Sequence, residues 1–434
     1  MKIKIKNRSC EEISALPAFP YKKPMYPNPV LGLVQKVLSF AVIKKNNVKF
    51  NEIGMEKLGK KEPCLILMNH SSFTDLKLAS FYFFPRPLSI VCTMDALVGK
   101  SLLMRLLGCI PTKKFVSDLQ LMSDMRYALR KLKSSVLLYP EAGYSFDGRA
   151  TVIPDTMGKL LKFLKVPVVF VMAHGAFARD PLYNGLQLRK VDITMDVKLL
   201  YTAEDIKEKS AEELSAGVTE AFSFDNFKWQ QENEVKIDED FRADGLNRVL
   251  YKCPACNAEG ANVGKGTRLK CTACGKEYEL TEYGKMRAVN GETEFEHIPD
   301  WFDWQRKEVL DEIKEGRYGF EKEVDIYVLT DFKALYRIGD GVLAHGENGF
   351  TLKGCGGKLD IHRTPDTSYS LNADFFWYEI GDTICIENEG KLYYCFPKGE
   401  ADIVTKTRLA AEELYKLWKK TKESARGRRA SVDQ

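Results

Sequence analysis

No stretch of this chain reaches the roughly 18 uncharged apolar residues that a bilayer-spanning helix needs, so a spanning helix is not expected. Internal repeats are missing too, which argues against a solenoid or propeller. The opening Met1-Lys2-Ile3-Lys4-Ile5-Lys6 lacks the apolar core and small-residue cleavage site of a secretory signal. Histidine is scarce, five in 434 residues, so each one can be tested against its neighbours. The eleven cysteines are too few and too uneven for a disulfide scaffold: four form one tight double pair and seven are scattered singly. That pattern implies reduced cytosolic thiols plus one metal site.

A large net charge is also absent, since 65 Lys+Arg against 60 Asp+Glu leave only +5. The balance conceals an asymmetry. Residues 1–200 hold 31 basic and 15 acidic side chains, net +16, and the remainder holds 34 against 45, net −11. A basic half implies an anionic partner: nucleic acid, an anionic membrane face or a phosphorylated small molecule. At 44% hydrophobic and 29% charged the chain is expected to fold, and its length suggests more than one domain.

What is present divides into segments. From Val30 to Ile43 the polar interruptions are Gly32, Gln35, Lys36 and Ser39, which form one narrow stripe and leave most of a helix's circumference apolar. Lys44 and Lys45 follow. The segment reads either as a helix docked in its own domain or as an in-plane membrane anchor with lysines for lipid phosphates. Continuous apolar runs at 64–68, 135–139 and 166–172, separated by helical patterns at 119–132 and 157–164, predict a mostly parallel α/β sheet covered on both faces. Residues 324–404 read as short strands punctuated by Gly and Asn, with a hairpin at Asn388–Gly390 and a closing helix over 405–420. The expected domains are 1–235 with its N-terminal helix, a ribbon at 246–285, a helix plus β-rich domain at 286–420, and a basic, disordered tail at 421–434.

Asn69-His70-Ser71-Ser72-Phe73-Thr74-Asp75 directly follows the first apolar run, which puts an imidazole at the carboxyl end of a strand. With Ser72 as N-cap, Asp75 lies in the first helical turn, within reach of His70. The plain alternative is a capping-box carboxylate beside a loop histidine. Tyr139-Pro140-Glu141-Ala142-Gly143-Tyr144-Ser145 leaves the second run in the same way, and Gly108-Cys109-Ile110-Pro111-Thr112-Lys113-Lys114 lies between them.

In this order, with Val166 and Pro167 opening the third run, these elements resemble the motif series of the 1-acylglycerol-3-phosphate (glycerolipid) acyltransferases. The resemblance covers roughly residues 30 to 230. It implies His70 as general base for a lysophospholipid hydroxyl attacking an acyl thioester, Asp75 as its orienting carboxylate and Glu141 shaping the acceptor site. Lys114 stands where the family has a phosphate-binding arginine. The third motif, usually Pro-Glu-Gly-Thr-Arg-Ser, here lacks its arginine, and Lys113 or Arg149 are the candidates to replace it. Lysine lacks the bidentate fork, so phosphate recognition is expected to be looser.

Cys253-Pro254-Ala255-Cys256 and Cys271-Thr272-Ala273-Cys274 resemble a zinc ribbon, four thiolates around one structural Zn²⁺. Asn257 and Gly275 follow the two pairs and tolerate the left-handed backbone that a knuckle demands. The other histidines, His174, His297, His345 and His362, have no partner within helical reach.

The expected protein is an acyltransferase of phospholipid biosynthesis, cytoplasmic and peripheral on the inner membrane face. It takes acyl-CoA or an acyl carrier protein as donor and, first, 1-acylglycerol 3-phosphate as acceptor, giving phosphatidate. Another lysophospholipid or glycerol 3-phosphate is the close alternative, and a degenerate lipid-binding scaffold the alternative of another class. A protein partner would use the ribbon or β domain. Nucleic acid is not expected, because the ribbon lies in the acidic half, which should face away from the membrane.

Overall fold

Three sheets organise the chain, each from a different residue pattern. The computed structural model describes residues 2–116, 118–185, 187–399 and 403–432, with backbone alone over 425–432. The first sheet has seven strands in the order Lys49–Ile53, Thr194–Tyr201, Val168–His174, Leu65–Met68, Ser135–Leu138, Leu88–Thr93 and Cys109–Thr112. The last five run parallel, while Thr194–Tyr201 runs antiparallel to Val168–His174 and carries Lys49–Ile53 parallel to itself. The sheet is thus mixed, with one reversed edge. Leu65 and Leu67 enter a core with Met125, Leu161 and Val218, whereas Ile66 and Met68 enter one with Ile43, Leu78 and Phe83. Burial on both faces is why the strand reads as an unbroken apolar run.

The second sheet is the antiparallel ribbon, in the order Met286–Ala288, Glu277–Leu280, Arg268–Cys271 and Asn262–Lys265. The third is antiparallel along the path Leu359–Arg363, Gly349–Gly354, Leu335–Gly346, Gly319–Leu329, Lys391–Pro397, Gly381–Asn388 and Asn372–Trp377. The hairpin joining Gly381–Asn388 to Lys391–Pro397 turns on Glu389 and Gly390, both left-handed at φ 49° and 80°, as a two-residue turn requires.

Several expectations change. Ile5–Asn7 pairs in parallel with Leu335–Gly346, so the chain's start belongs to the C-terminal sheet and not to a 1–235 unit. A three-residue, wholly exposed strand carries no pattern that names its partner. Met286–Ala288 completes the ribbon sheet beyond the boundary expected at 285. The closing helix runs Val404–Val432, through most of the tail expected to be disordered; residues 433–434 lie outside the described residues. Cys10 and Cys355, expected as reduced thiols, form a disulfide, a pairing across 345 residues that no spacing announces.

One hydrophobic core joins Phe146, Phe177 and Phe227 to Leu269 and Tyr278 of the ribbon. It also takes in Trp301 of helix Ile298–Lys314 and Val324 and Phe375 of the C-terminal sheet. The appended parts are therefore packed onto the first sheet's domain.

Candidate active site

The 65–68 and 135–138 strands are parallel neighbours, so the loops leaving their carboxyl ends meet. His70 lies in the first loop and Glu141 in the second. Helix Asp75–Phe83 begins one residue beyond its N-cap, which is Thr74 and not Ser72. Asp75 nevertheless reaches back: its Oδ2 accepts from Ser71 N–H at 2.8 Å and Ser72 N–H at 3.0 Å, and lies 3.1 Å from His70 Nδ1. One carboxylate both holds the turn and fixes the imidazole. Asp75 is fully buried, and its Oδ1 has no hydrogen-bond partner.

The imidazole lies between two phenol rings, Tyr139 at 4.2 Å and Tyr144 at 4.0 Å, both stacked. Burial raises both phenols well above their ordinary range, which keeps them protonated. Glu141, only 2% exposed, sits behind the ring. Its Oε2 accepts His70 N–H at 2.6 Å and its Oε1 accepts Thr151 N–H at 3.0 Å. Burial pushes its carboxyl up to about 8 against those two donors. Ala142 follows in the left-handed region at φ 52°.

His70, Tyr139 and Tyr144 line a cavity of about 1260 Å³. Its apolar wall includes Ile90, Met104, Leu121 and Leu138. The C-terminal sheet and closing helix also contribute to the lining, through Asp374 to Glu379, Tyr415 and Lys419.

Residues 49–176 match the family model Acyltransferase. This segment, built around the His70–Asp75 pair, is similar to that family over these residues. Among solved structures, the 1-acyl-sn-glycerophosphate (LPA) acyltransferase PlsC from Thermotoga maritima aligns at 18% identity, TM-score 0.35, over 44% of this chain and 76% of that one. A search of the curated proteins found no match.

Of the cations assigned to phosphate by sequence, only the two lysines line this cavity. Lys113 Nζ lies 3.3 Å from Glu387 of the C-terminal sheet. Arg149 is turned away from the cavity: its guanidinium binds Asp147 at 2.7 Å and Asp303 at 2.7 Å. Its replacement role is therefore not supported, because two carboxylates already occupy the fork. Glu141 does not line the cavity either, and acts on the site through the backbone of His70.

Sequence reasoning missed Tyr144, Asp180 and Asp374. Tyr144 had a signal, since it stands at the arginine position of the third motif. Asp180 and Asp374 had none, because their places in the cavity lining depend on how distant segments pack.

The four ribbon cysteines have sulfur atoms all within 4.8 Å of one another, with Cys253–Cys274 at 3.8 Å and Cys256–Cys271 at 3.7 Å. A tetrahedron with metal–sulfur bonds of about 2.3 Å has edges of about 3.8 Å, so the set fits one ion. Asn257 and Gly275 are left-handed at φ 61° and 78°, and their N–H groups close both knuckles onto Cys253 O and Cys271 O.

Proposed function

We propose that this chain transfers a fatty acyl group from a thioester, acyl-CoA or an acyl carrier protein, to the free hydroxyl of a lysophospholipid at a membrane surface. The observation that carries the reading is the His70–Asp75 pair set in the wall of the large cavity. Asp75 keeps a proton on Nδ1 and leaves Nε2 as the basic nitrogen. Nε2 takes the hydroxyl proton as the oxygen attacks the thioester carbonyl; the tetrahedral intermediate collapses, the thiolate leaves, and the imidazolium returns the proton to it. At about 1260 Å³ the cavity exceeds the roughly 300–1,000 Å³ of an ordinary small-molecule site, in keeping with two substrates.

The motif series favours 1-acylglycerol 3-phosphate as acceptor, with Lys114 for its phosphate. A lysophospholipid with a larger head group is the second reading, favoured by Tyr144 in the arginine's place. Membrane docking is assigned to helix Pro29–Lys45. Its Ser39 and Ile43 are buried, while Val30, Leu33, Val34, Val37, Leu38 and Phe40 are exposed, an outward apolar face that lipid would cover. The four cysteines hold a structural zinc.

The test is turnover of labelled acyl-CoA and acyl carrier protein thioesters with a lysophospholipid panel on anionic vesicles. His70→Ala is expected to lower the rate by about 10²–10⁴-fold with the fold intact. Unchanged activity in that variant, or no turnover of any acceptor by the wild-type chain, would overturn the reading.

A further inference from the structure

Strand Leu65–Met68, which leads to His70, lies between two parallel neighbours. Ser135–Leu138 on one side leads to Tyr139 and Tyr144, and Val168–His174 on the other leads to Arg179. Arg179 is 5% exposed, yet it lines the cavity, as the one arginine among the described residues of that lining. Its guanidinium is held on one edge: Nε donates to Asn46 Oδ1 at 2.6 Å and Nη1 to Thr74 Oγ1 at 2.9 Å. Thr74 directly precedes Asp75, so the guanidinium is tied to the turn that fixes His70. Asn46 is the C-cap of helix Pro29–Lys45. The neighbouring Asp180 Oδ2 stands 3.4 Å from Nη1, beyond the roughly 2.7–2.9 Å of a charge-assisted hydrogen bond. Burial also pushes the Asp180 carboxyl up to about 7, towards its neutral form. Among the described residues Nη2 has no hydrogen-bond partner. A fixed guanidinium with an unused donor edge in a cavity wall suits an oxyanion.

Lys77 adds a second cation, lining the cavity three residues after Thr74 on the same face of helix Asp75–Phe83. Exposed Phe73 and Leu76 line the cavity beside them, and Val42 of helix Pro29–Lys45 joins that lining. Lys114, by contrast, follows the edge strand Cys109–Thr112, third along the sheet from Leu65–Met68. At about 4.8 Å per strand its segment starts about 14 Å away, whereas Arg179 follows the adjacent strand.

We propose that Arg179, seconded by Lys77, binds the phosphate of the acceptor lysophospholipid, in place of the arginines that the motif series lacks. The assignment rests on the acyl-transfer reading and supplies its acceptor grip. A single-chain lipid entering past Phe73 and Leu76 meets the guanidinium on its way to His70.

The test is calorimetric binding to the full-length His70→Ala protein, which separates binding from turnover. Three ligands are compared: a short-chain 1-acylglycerol 3-phosphate, the 1-acylglycerol of equal chain, and coenzyme A, whose phosphates belong to the donor. Arg179→Gln is expected to weaken the phosphate lipid by about 10- to 100-fold and to leave the other two as they were. Arg179→Lys keeps the charge without the fork and should fall between. Equal weakening of the 1-acylglycerol would mean that Arg179 only holds the turn, and weakening confined to coenzyme A would place it in donor binding. Either result overturns the proposal, as does a larger loss from Lys114→Gln than from Arg179→Gln. Equal binding of the two lipids by the His70→Ala protein overturns it without any variant at Arg179. Wild-type turnover of both lipids is measured in parallel. Phosphate-dependent binding without turnover would retain the grip and sink acyl transfer; turnover indifferent to the phosphate would do the reverse.

Discussion

The imidazole of His70 is fixed at one nitrogen by Asp75 and on both faces by Tyr139 and Tyr144, so its orientation is set before any substrate arrives. Behind it, Glu141 titrates between about 4.5 in the unfolded chain and about 8 in the fold. A raised carboxyl stabilises the fold in full below the lower value, and this contribution is lost as pH rises through the upper one. Urea melts should therefore show stability falling between pH 4.5 and 8, by up to a few kcal/mol from this group. Glu141→Gln should flatten that slope. Ala142 pays about 1–2 kcal/mol for a left-handed backbone that glycine adopts freely. Ala142→Gly is expected to raise stability by about 1 kcal/mol, read as a higher urea midpoint with an unchanged m-value. At this scale the His70 and Asp75 pairing was legible, because five residues separate them across one strand-to-helix turn; the Tyr139 and Tyr144 sandwich was not, since ring stacking depends on where two loops cross.

Helices and knuckles were legible where a periodic or spaced pattern was local. The stripe of Gly32, Gln35, Lys36 and Ser39 left open whether the helix was docked or an anchor, and the fold docks one face and leaves an apolar face exposed. Its buried Ser39 lies on the protein side, and Val37 and Leu38 stand 63% and 70% exposed on the other. Burying two such side chains in lipid is worth about 3–6 kcal/mol. Val37→Glu with Leu38→Glu should therefore abolish flotation with anionic vesicles and leave the melting temperature unchanged. The Cys-x-x-Cys pairs were equally local, and both knuckles took the left-handed residue expected of them. Metal analysis should find one zinc per chain. Its removal, or Cys271→Ser, should unfold the ribbon, because Cys271 ends the strand that buries Leu269 in the shared core.

At the scale of the whole molecule, the split between a +16 half and a −11 half is partly an internal fit. Lys113 pairs with Glu387, Arg149 with Asp303, and Asp95 accepts from Tyr378 at 2.9 Å and Tyr394 at 3.3 Å. Charges that the linear sequence offered to a phosphate are spent on the C-terminal half, which closes the cavity. No local pattern predicts contacts across more than a hundred residues, and that is why the expected domain map kept the two halves apart. Phe146 tests whether closure matters. It lies outside the cavity lining, stacks on Phe375 at 4.4 Å and carries the Arg408 guanidinium over its ring at 4.3 Å. Phe146→Ala should cost about 3–5 kcal/mol of stability. Below its lowered melting temperature it should also raise the acceptor KM, because Phe375 then loses the support that holds the strand bearing Asp374 against the site. An acceptor KM equal to wild type in the folded variant would mean that the two halves are packed together without working together.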